Sequence, residues 1–143
     1  MNSELRRDLT AEDGPLAGAL ITEVSPVGGG CIHQAWKLRF GDGQVLFAKS
    51  GGASALPLLE VEAEALEAPH AHADASFLVV PQPIALAALP HGAVLLLPWL
   101  DCGGSDQTAL GRGLALLHQA SICLLYTSPS PRDYAASRMP SSA

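Results

Sequence analysis

Residues 45–69 decide the fold: Val45-Leu46-Phe47-Ala48-Lys49-Ser50-Gly51-Gly52-Ala53-Ser54-Ala55-Leu56-Pro57-Leu58-Leu59-Glu60-Val61-Glu62-Ala63-Glu64-Ala65-Leu66-Glu67-Ala68-Pro69. Gln44 to Lys49 is rich in strand-forming apolar residues and reads as a strand. Ser50 to Ser54 is a small-residue connection. The spacing then predicts a helix over Leu56 to Ala68. Pro57 suits its first turn, where a backbone N–H has no partner to lose, and Pro69 is expected to stop it. At about 100° per residue Leu58, Leu59, Glu62 and Leu66 share one face, with Val61 and Ala65 beside them. Glu60, Glu64 and Glu67 gather opposite, as a solvated acidic face does. Glu62 is therefore a carboxylate inside an apolar stripe. Either it sits at the stripe's edge and reaches water, or it has a cation partner, since burial alone is costly. Lys49 poses the converse question. It closes an apolar strand, and either snorkels to water or binds an anion such as a phosphate while a carboxylate holds it. Each residue would satisfy the other.

Upstream of this stretch, Ile21 to Val27 alternates as a strand and Cys31 to Phe40 reads as a second. Gly28-Gly29-Gly30 lies between them, and Gly41-Asp42-Gly43 predicts a hairpin into the third strand. Ser3 to Ala19 is a weakly amphipathic start broken at Gly14-Pro15. Downstream, His70 to Ser76 reads as a loop, Ile84 to Ala88 as a fourth strand and Ala93 to Leu97 as a fifth, joined by a turn at Leu89-Pro90-His91-Gly92. Asp101 to Ser105 is a linker, and Ser105 or Asp106 can cap a last helix to His118. The order β-β-β-α-β-β-linker-α predicts an α+β fold, a five-stranded antiparallel sheet with a helix on one face. The expected divisions are an N-terminal segment over 1–20, a sheet lobe over 21–100, and a linker with its helix over 101–121.

Composition narrows the function. The chain has 143 residues, a net charge of −6, and 48% hydrophobic against 15% charged residues. That size holds one domain or part of a larger one. The acidic balance and the lack of a basic stripe argue against nucleic acid as a partner. No apolar run is long enough to span a membrane. The N-terminal Met1-Asn2-Ser3-Glu4-Leu5-Arg6-Arg7-Asp8 is charged where a signal peptide is apolar, so a cytoplasmic address is expected. Three cysteines make no disulfide framework in a reducing compartment. His70, His72 and Asp74, or Cys31 with His33, do not reach four metal ligands at a recognised spacing, so no metal site is expected. His118 suits the C-terminal end of its helix. The chain has only two lysines, Lys37 and Lys49, in an Ala/Gly/Leu-rich background.

Gly28-Gly29-Gly30 admits two readings, a plain hairpin turn or a backbone whose N–H groups approach a phosphate. A glycine loop after strand one, a lysine on strand three and a glutamate on the next helix are together the ATP-positioning set of the protein-kinase fold. Five blocks in order, Gly28-Gly29-Gly30-Cys31-Ile32-His33-Gln34-Ala35-Trp36, Phe47-Ala48-Lys49, Glu60-Val61-Glu62-Ala63-Glu64-Ala65-Leu66, Val80-Pro81-Gln82-Pro83-Ile84 and Leu110-Gly111-Arg112-Gly113-Leu114-Ala115-Leu116-Leu117-His118, resemble the fructosamine kinase (ketosamine-3-kinase) family over most of residues 20–120. The resemblance implies a kinase-like N-lobe and an ATP-dependent enzyme that phosphorylates the 3-hydroxyl of a ketosamine on a protein or small amine, a deglycation step. It implies that Lys49 holds the α- and β-phosphates, Glu62 orients Lys49, and Gly28, Gly29 and Gly30 cover the phosphates. Leu97 would be the gatekeeper, and Pro98 to Leu100 the adenine hinge. Pro98 stands where a glutamate is more usual, but that position offers adenine only its carbonyl, which proline keeps, while the Leu100 N–H would be the donor. Cys31 is either a small apolar loop residue or, as the resemblance implies, a redox-sensitive thiol able to link two chains. Other readings are a small-molecule kinase of the aminoglycoside or choline kinase type, and a non-catalytic nucleotide-binding module.

The resembled family keeps its catalytic aspartate and Mg2+ ligands in a second lobe, in a His-Gly-Asp-Leu block absent from these residues. The chain as written is therefore expected to be an inactive N-terminal fragment, with no catalytic residue present and with apolar surface exposed. Its last residues change character. Cys123 to Asp133 can be written in codons resembling the transposase-type adapter of sequencing libraries. Ser137 to Ala143 can be written as the flow-cell end of the same adapter, in one frame and at the right separation. Residues 122–143 are accordingly expected to be an artefactual, disordered tail, with genuine sequence ending near Ser121 or Ile122.

Overall fold

A computed structural model describes residues 1–28, 34–101 and 106–127, with side chains to residue 120. The chain forms two compact units, one holding the described residues of Met1–Ala71 and Val80–Ser105, the other those of His72–Val79 and Asp106–Ala143.

The first unit is a sheet with cover on both faces. Its elements are α1 (Ser3–Thr10), β1 (Ile21–Val27), β2 (Gln34–Phe40), β3 (Val45–Gly51), a single 3-10 turn at Ala53–Ala55, α2 (Leu56–His72), β4 (Ala85–Leu89) and β5 (Gly92–Pro98). The five strands pair antiparallel in the order β1-β2-β3-β5-β4. The β2–β3 hairpin turns at Gly43, whose φ of 88° favours glycine, and the Asp42 carboxylate accepts the Gln44 N–H at 2.9 Å. Because α2 carries the chain across the sheet, β5 inserts between β3 and β4. It is paired on both edges and covered on both faces, and this is why Ala93 to Leu97 is continuously apolar and buried.

Side chains alternate along β3, so Leu46 and Ala48 point one way and Phe47 the other. On the first face Leu9, Ile21, Leu38, Phe40, Ala48, Val94 and Leu96 make one core cluster. On the second, Ala93, Leu95 and Leu97 meet Ala55, Leu59 and Ala63. The sequence predicts a helix on one face only; the other is covered by residues 1–20. Leu9 is fully buried there and Leu5 nearly so. Asn2 caps α1 by accepting the Leu5 N–H at 2.7 Å. One Asp8 carboxylate oxygen accepts both the His91 N–H at 3.0 Å and its Nδ1 at 2.9 Å, which ties α1 to the β4–β5 turn. Gly92 in that turn has φ 151°, and a side chain there would run into the Gly51 carbonyl.

Several features differ from expectation. Helix α2 continues through Pro69 to His72. An interior proline costs one hydrogen bond and a clash with the preceding turn, about 3 kcal/mol, which neighbouring residues can offset. His70 makes a 2.7 Å contact from Nδ1 to the Val80 carbonyl just beyond the proline. The buried stripe of α2 is also rotated: Leu59 is at its centre, while Leu58 and Val61 are 55% and 63% exposed. Strands β4 and β5 are shifted or lengthened by a residue at their ends.

In the second unit α3 spans Gln107–Thr127, beyond the expected end at His118. From Gln119 to Tyr126 there is no glycine or proline to stop it. Asp106 is the cap, accepting from Thr108 N at 3.1 Å and Ala109 N at 2.9 Å. The Arg112 guanidinium lies 5.0 Å from the Phe77 ring centre. A Cβ on Gly113 would fall 2.7 Å from the Leu78 Cβ, so glycine permits this close approach.

Candidate functional site

Lys49 sits near the end of β3, directly opposite Leu95 of β5 and Ala35 of β2. It follows the alternation of Phe47 and so faces α2. On α2, Glu62 comes three residues after Leu59, about 60° round the helix from the centre of the buried stripe. It therefore flanks the apolar contact rather than lying in it. The Lys49 ammonium donates to Glu62 Oε1, and each side chain keeps 30% of its surface exposed. Both alternatives for Glu62 thus hold together: it is at the edge, and it has a cation. The pair is a charge-assisted hydrogen bond that retains some solvent, which keeps the desolvation cost modest. An ammonium carries three donors, and the bond to Glu62 uses one. Among the described residues no buried side-chain nitrogen or oxygen lacks a partner.

A cavity of about 350 Å³ is lined by Val27, Phe47, Pro81, Leu97, Pro98, Trp99 and Leu100. Its wall is almost wholly apolar and comes from the ends of β1 and β5, from β3, and from the segment before β4. Phe47 belongs both to this wall and to the strand that carries Lys49, so the cavity and the lysine–glutamate pair share one strand. A flat ligand in such a cavity would gain from apolar contact and from a few backbone polar groups. A second cavity, of about 440 Å³, lies between Asn2, Leu5, Gln34, Ser50, Gly51, Gly52 and His91 and includes neither Lys49 nor Glu62.

Of the sequence-predicted residues, Lys49 and Glu62 are brought together, and Leu97, Pro98 and Leu100 line one cavity. Gly28 follows β1, is exposed, and has open space where a Cβ would be. Gly29, Gly30 and Cys31 lie outside the described residues, as does His33. Among the described residues no group of three or more His, Cys, Asp or Glu could hold a metal ion. Lys37 went unassigned in the sequence, and Trp99, which lines the cavity, is covered there only as part of the 98–100 hinge. Lys37 of β2 pairs in register with Phe47, and its ammonium lies 4.1 Å from the centre of the Trp99 ring. Trp99 also packs on Phe47, with ring centres 6.4 Å apart, and its Nε1 donates to Asp101 at 2.8 Å. The β2–β3 alternation could have placed Lys37 beside Phe47, but nothing local in the sequence aims Trp99 back at it.

The five-stranded antiparallel sheet, with a lysine on its third strand paired to a carboxylate on the following helix, defines the small lobe of a protein-kinase-like fold. The fructosamine kinase family model matches residues 5–127. The chain is 36% identical over 104 residues to the protein-ribulosamine 3-kinase, chloroplastic, of Oryza sativa subsp. japonica, covering 71% of this chain and 29% of the relative. It is 35% identical over 103 residues to the protein of the same name from Arabidopsis thaliana, covering 70% and 30%. A solved structure bearing a fructosamine-3-kinase name, from Haemophilus somnus 129PT, matches with a TM-score of 0.60 at 20% identity, over 71% of this chain and 34% of that one. The chain belongs to the fructosamine kinase family. It spans about three-tenths of the length of the curated plant relatives. Among the described residues no helix is long and apolar enough to cross a membrane.

Proposed function

We propose that this chain is the ATP-binding lobe of a ketosamine 3-kinase, one that transfers the γ-phosphoryl group of ATP to the 3-hydroxyl of a fructosamine or ribulosamine on a protein or small amine. The observation that carries the reading is the Lys49–Glu62 pair, whose lysine shares β3 with Phe47 of an apolar cavity. Family membership and the names of the plant relatives support the substrate class.

In this reading the base of ATP enters the cavity between Val27, Phe47, Leu97 and the 98–100 segment. Lys49 neutralises the α- and β-phosphates, and Glu62 holds the ammonium where they need it. Gly28, Gly29 and Gly30 would cover the phosphates. The cavity fits a nucleotide base in size and polarity, and the paired lysine fits a polyphosphate. Mg2+, held by ligands in a second lobe, would supply charge neutralisation at the phosphates. The catalytic base and the ketosamine contacts belong to that lobe too, so residues 1–143 alone are expected to bind ATP without turning it over. Deglycation in the cytoplasm, redox linkage through Cys31, and an adapter-derived stretch over residues 123–143 belong to the same reading.

Isothermal titration of the 143-residue chain with ATP tests the binding. The expected result is saturable binding that Lys49→Met weakens about tenfold, a difference of about 1.4 kcal/mol. Absence of binding to a folded chain refutes the nucleotide reading. Robust ATP-dependent phosphorylation of a ketosamine by these residues alone refutes the expected inactivity.

A further inference from the structure

Trp99 is held at the cavity by contacts from three other side chains. It follows β5, beyond the last ladder pair at Pro98, where a connecting segment would ordinarily be free to move. Three contacts hold it instead. The Lys37 ammonium stands 4.1 Å from the ring centre, Phe47 packs against it at 6.4 Å and 39°, and Asp101 accepts its indole N–H at 2.8 Å. These holds come from two strands and from the segment itself. Lys37 is in turn fixed by register, opposite Ser25 of β1 and Phe47 of β3. On the neighbouring strand pair Glu23 and Arg39 bridge each other at 3.3 Å, and Lys49 stands two residues beyond Phe47 on the same face.

Pinning an aromatic side chain in the unbound state has a definite consequence. A tryptophan that must find its rotamer on binding costs side-chain entropy at that moment, whereas one already held offers its π-face at once. An ammonium on an indole face is favourable without occupying the cavity, and it strengthens when water is excluded, as it would be once the cavity fills.

We propose that Lys37 and Asp101 are positioning residues that clamp Trp99 as a preset wall of the cavity, against which the base of a bound nucleotide packs. The inference rests on the nucleotide reading above and adds residues to the same site. Lys37 acts on the base through Trp99 and does not touch the phosphates.

The test uses the 143-residue chain labelled with 5-fluorotryptophan. It has two tryptophans, Trp36 and Trp99, so two 19F resonances are expected, assigned by Trp99→Phe. ADP should shift the Trp99 resonance and leave that of Trp36 nearly unmoved. Without ligand, Lys37→Met should shift and broaden the Trp99 line, and should weaken ADP binding about threefold to tenfold in calorimetry. Lys37→Arg keeps the cation and should stay within about twofold of the unmodified chain. Asp101→Asn leaves an acceptor and should have a smaller effect than Asp101→Ala. Inorganic tripolyphosphate, which has no base, should bind the Lys37→Met chain as well as the unmodified one. If Lys37→Met binds ADP normally, or weakens ADP and tripolyphosphate equally, the clamp is overturned while the nucleotide reading stands. If the unmodified, folded chain binds no ADP, the nucleotide reading fails and this inference with it. Should Lys37→Met not fold, Lys37→Gln and the Trp99 line of Asp101→Ala decide the same question.

Discussion

On the α1 face of the sheet, β3 contributes Leu46 and Ala48 to an apolar cluster, and the buried Ser50, whose hydroxyl accepts the Trp36 indole N–H at 2.9 Å. On the α2 face, one residue out of phase, the same strand contributes Phe47 to a cavity wall and Lys49 to a half-exposed ion pair. Period-two geometry makes the division possible: one short strand serves a mainly apolar face and a wetter one. The faces should therefore fail in different ways. Damage to the α1 face should cost stability and leave the affinity of the folded fraction intact. Damage to the α2 face beside the cavity should cost affinity with little change in stability.

The largest effect tests the apolar face. Leu9 is fully buried against the sheet, so Leu9→Ala should lose about 2–5 kcal/mol of folding stability through lost transfer energy and a residual cavity. Urea denaturation measures this. A change under about 1 kcal/mol would show that residues 1–20 rest on the sheet without supporting it. Next comes the wetter face. Glu62→Gln should weaken ATP binding severalfold while moving the urea midpoint little, because an exchange of neutral amide for carboxylate at a half-exposed site removes orientation more than packing. A stability loss matching that of Leu9→Ala would erase the contrast between faces.

A smaller effect belongs to the tie between α1 and the β4–β5 turn. Asp8→Ala removes the acceptor of the His91 N–H and ring nitrogen and should cost about 1 kcal/mol. Faster amide exchange at His91, with no change at Lys49, would accompany it. The smallest is the exposed Glu23. The Ser25 hydroxyl, bonded to it at 2.6 Å, and then the Arg39 and Lys37 charges hold its carboxyl below the ordinary 4.5, against a modest desolvation. A carboxyl whose pKa falls on folding adds stability above its unfolded value and loses it as pH drops through the folded one. Glu23→Gln should therefore remove a small increment of stability that is present near neutrality and absent in strong acid, so urea denaturation across pH should show a slightly flatter acid limb.

Much of this arrangement is local and could be read directly. The glycine turn at 41–43, the five apolar strand segments and the helix following β3 follow from periodicity and turn chemistry, and Lys49 with Glu62 stood out because each residue sat badly alone. The misjudged features have a common cause. Pro69 looks like a stop because proline is costly in any helix, yet that cost is finite and the helix runs on to His72. Leu58 and Leu59 are interchangeable to a hydrophobic pattern. Contact with Leu95 and Leu97 chose Leu59. Residues 1–20 read as an indifferent preface because amphipathicity over two turns is weak, and only the sheet's bare face makes Leu5 and Leu9 core residues.

Residue order alone was enough for the element types, for the antiparallel pairing of neighbouring hairpin strands, and for the pairing of one strand lysine with one helix carboxylate. These depend on interactions a few residues apart, or on a charge imbalance that has one evident remedy. Packing in three dimensions chose which stripe of α2 is buried, what covers the second face, and how Lys37, Phe47, Trp99 and Asp101 meet around a cavity. Those contacts join residues separated by tens of positions, and their energies exist only once the sheet has brought the separate segments together.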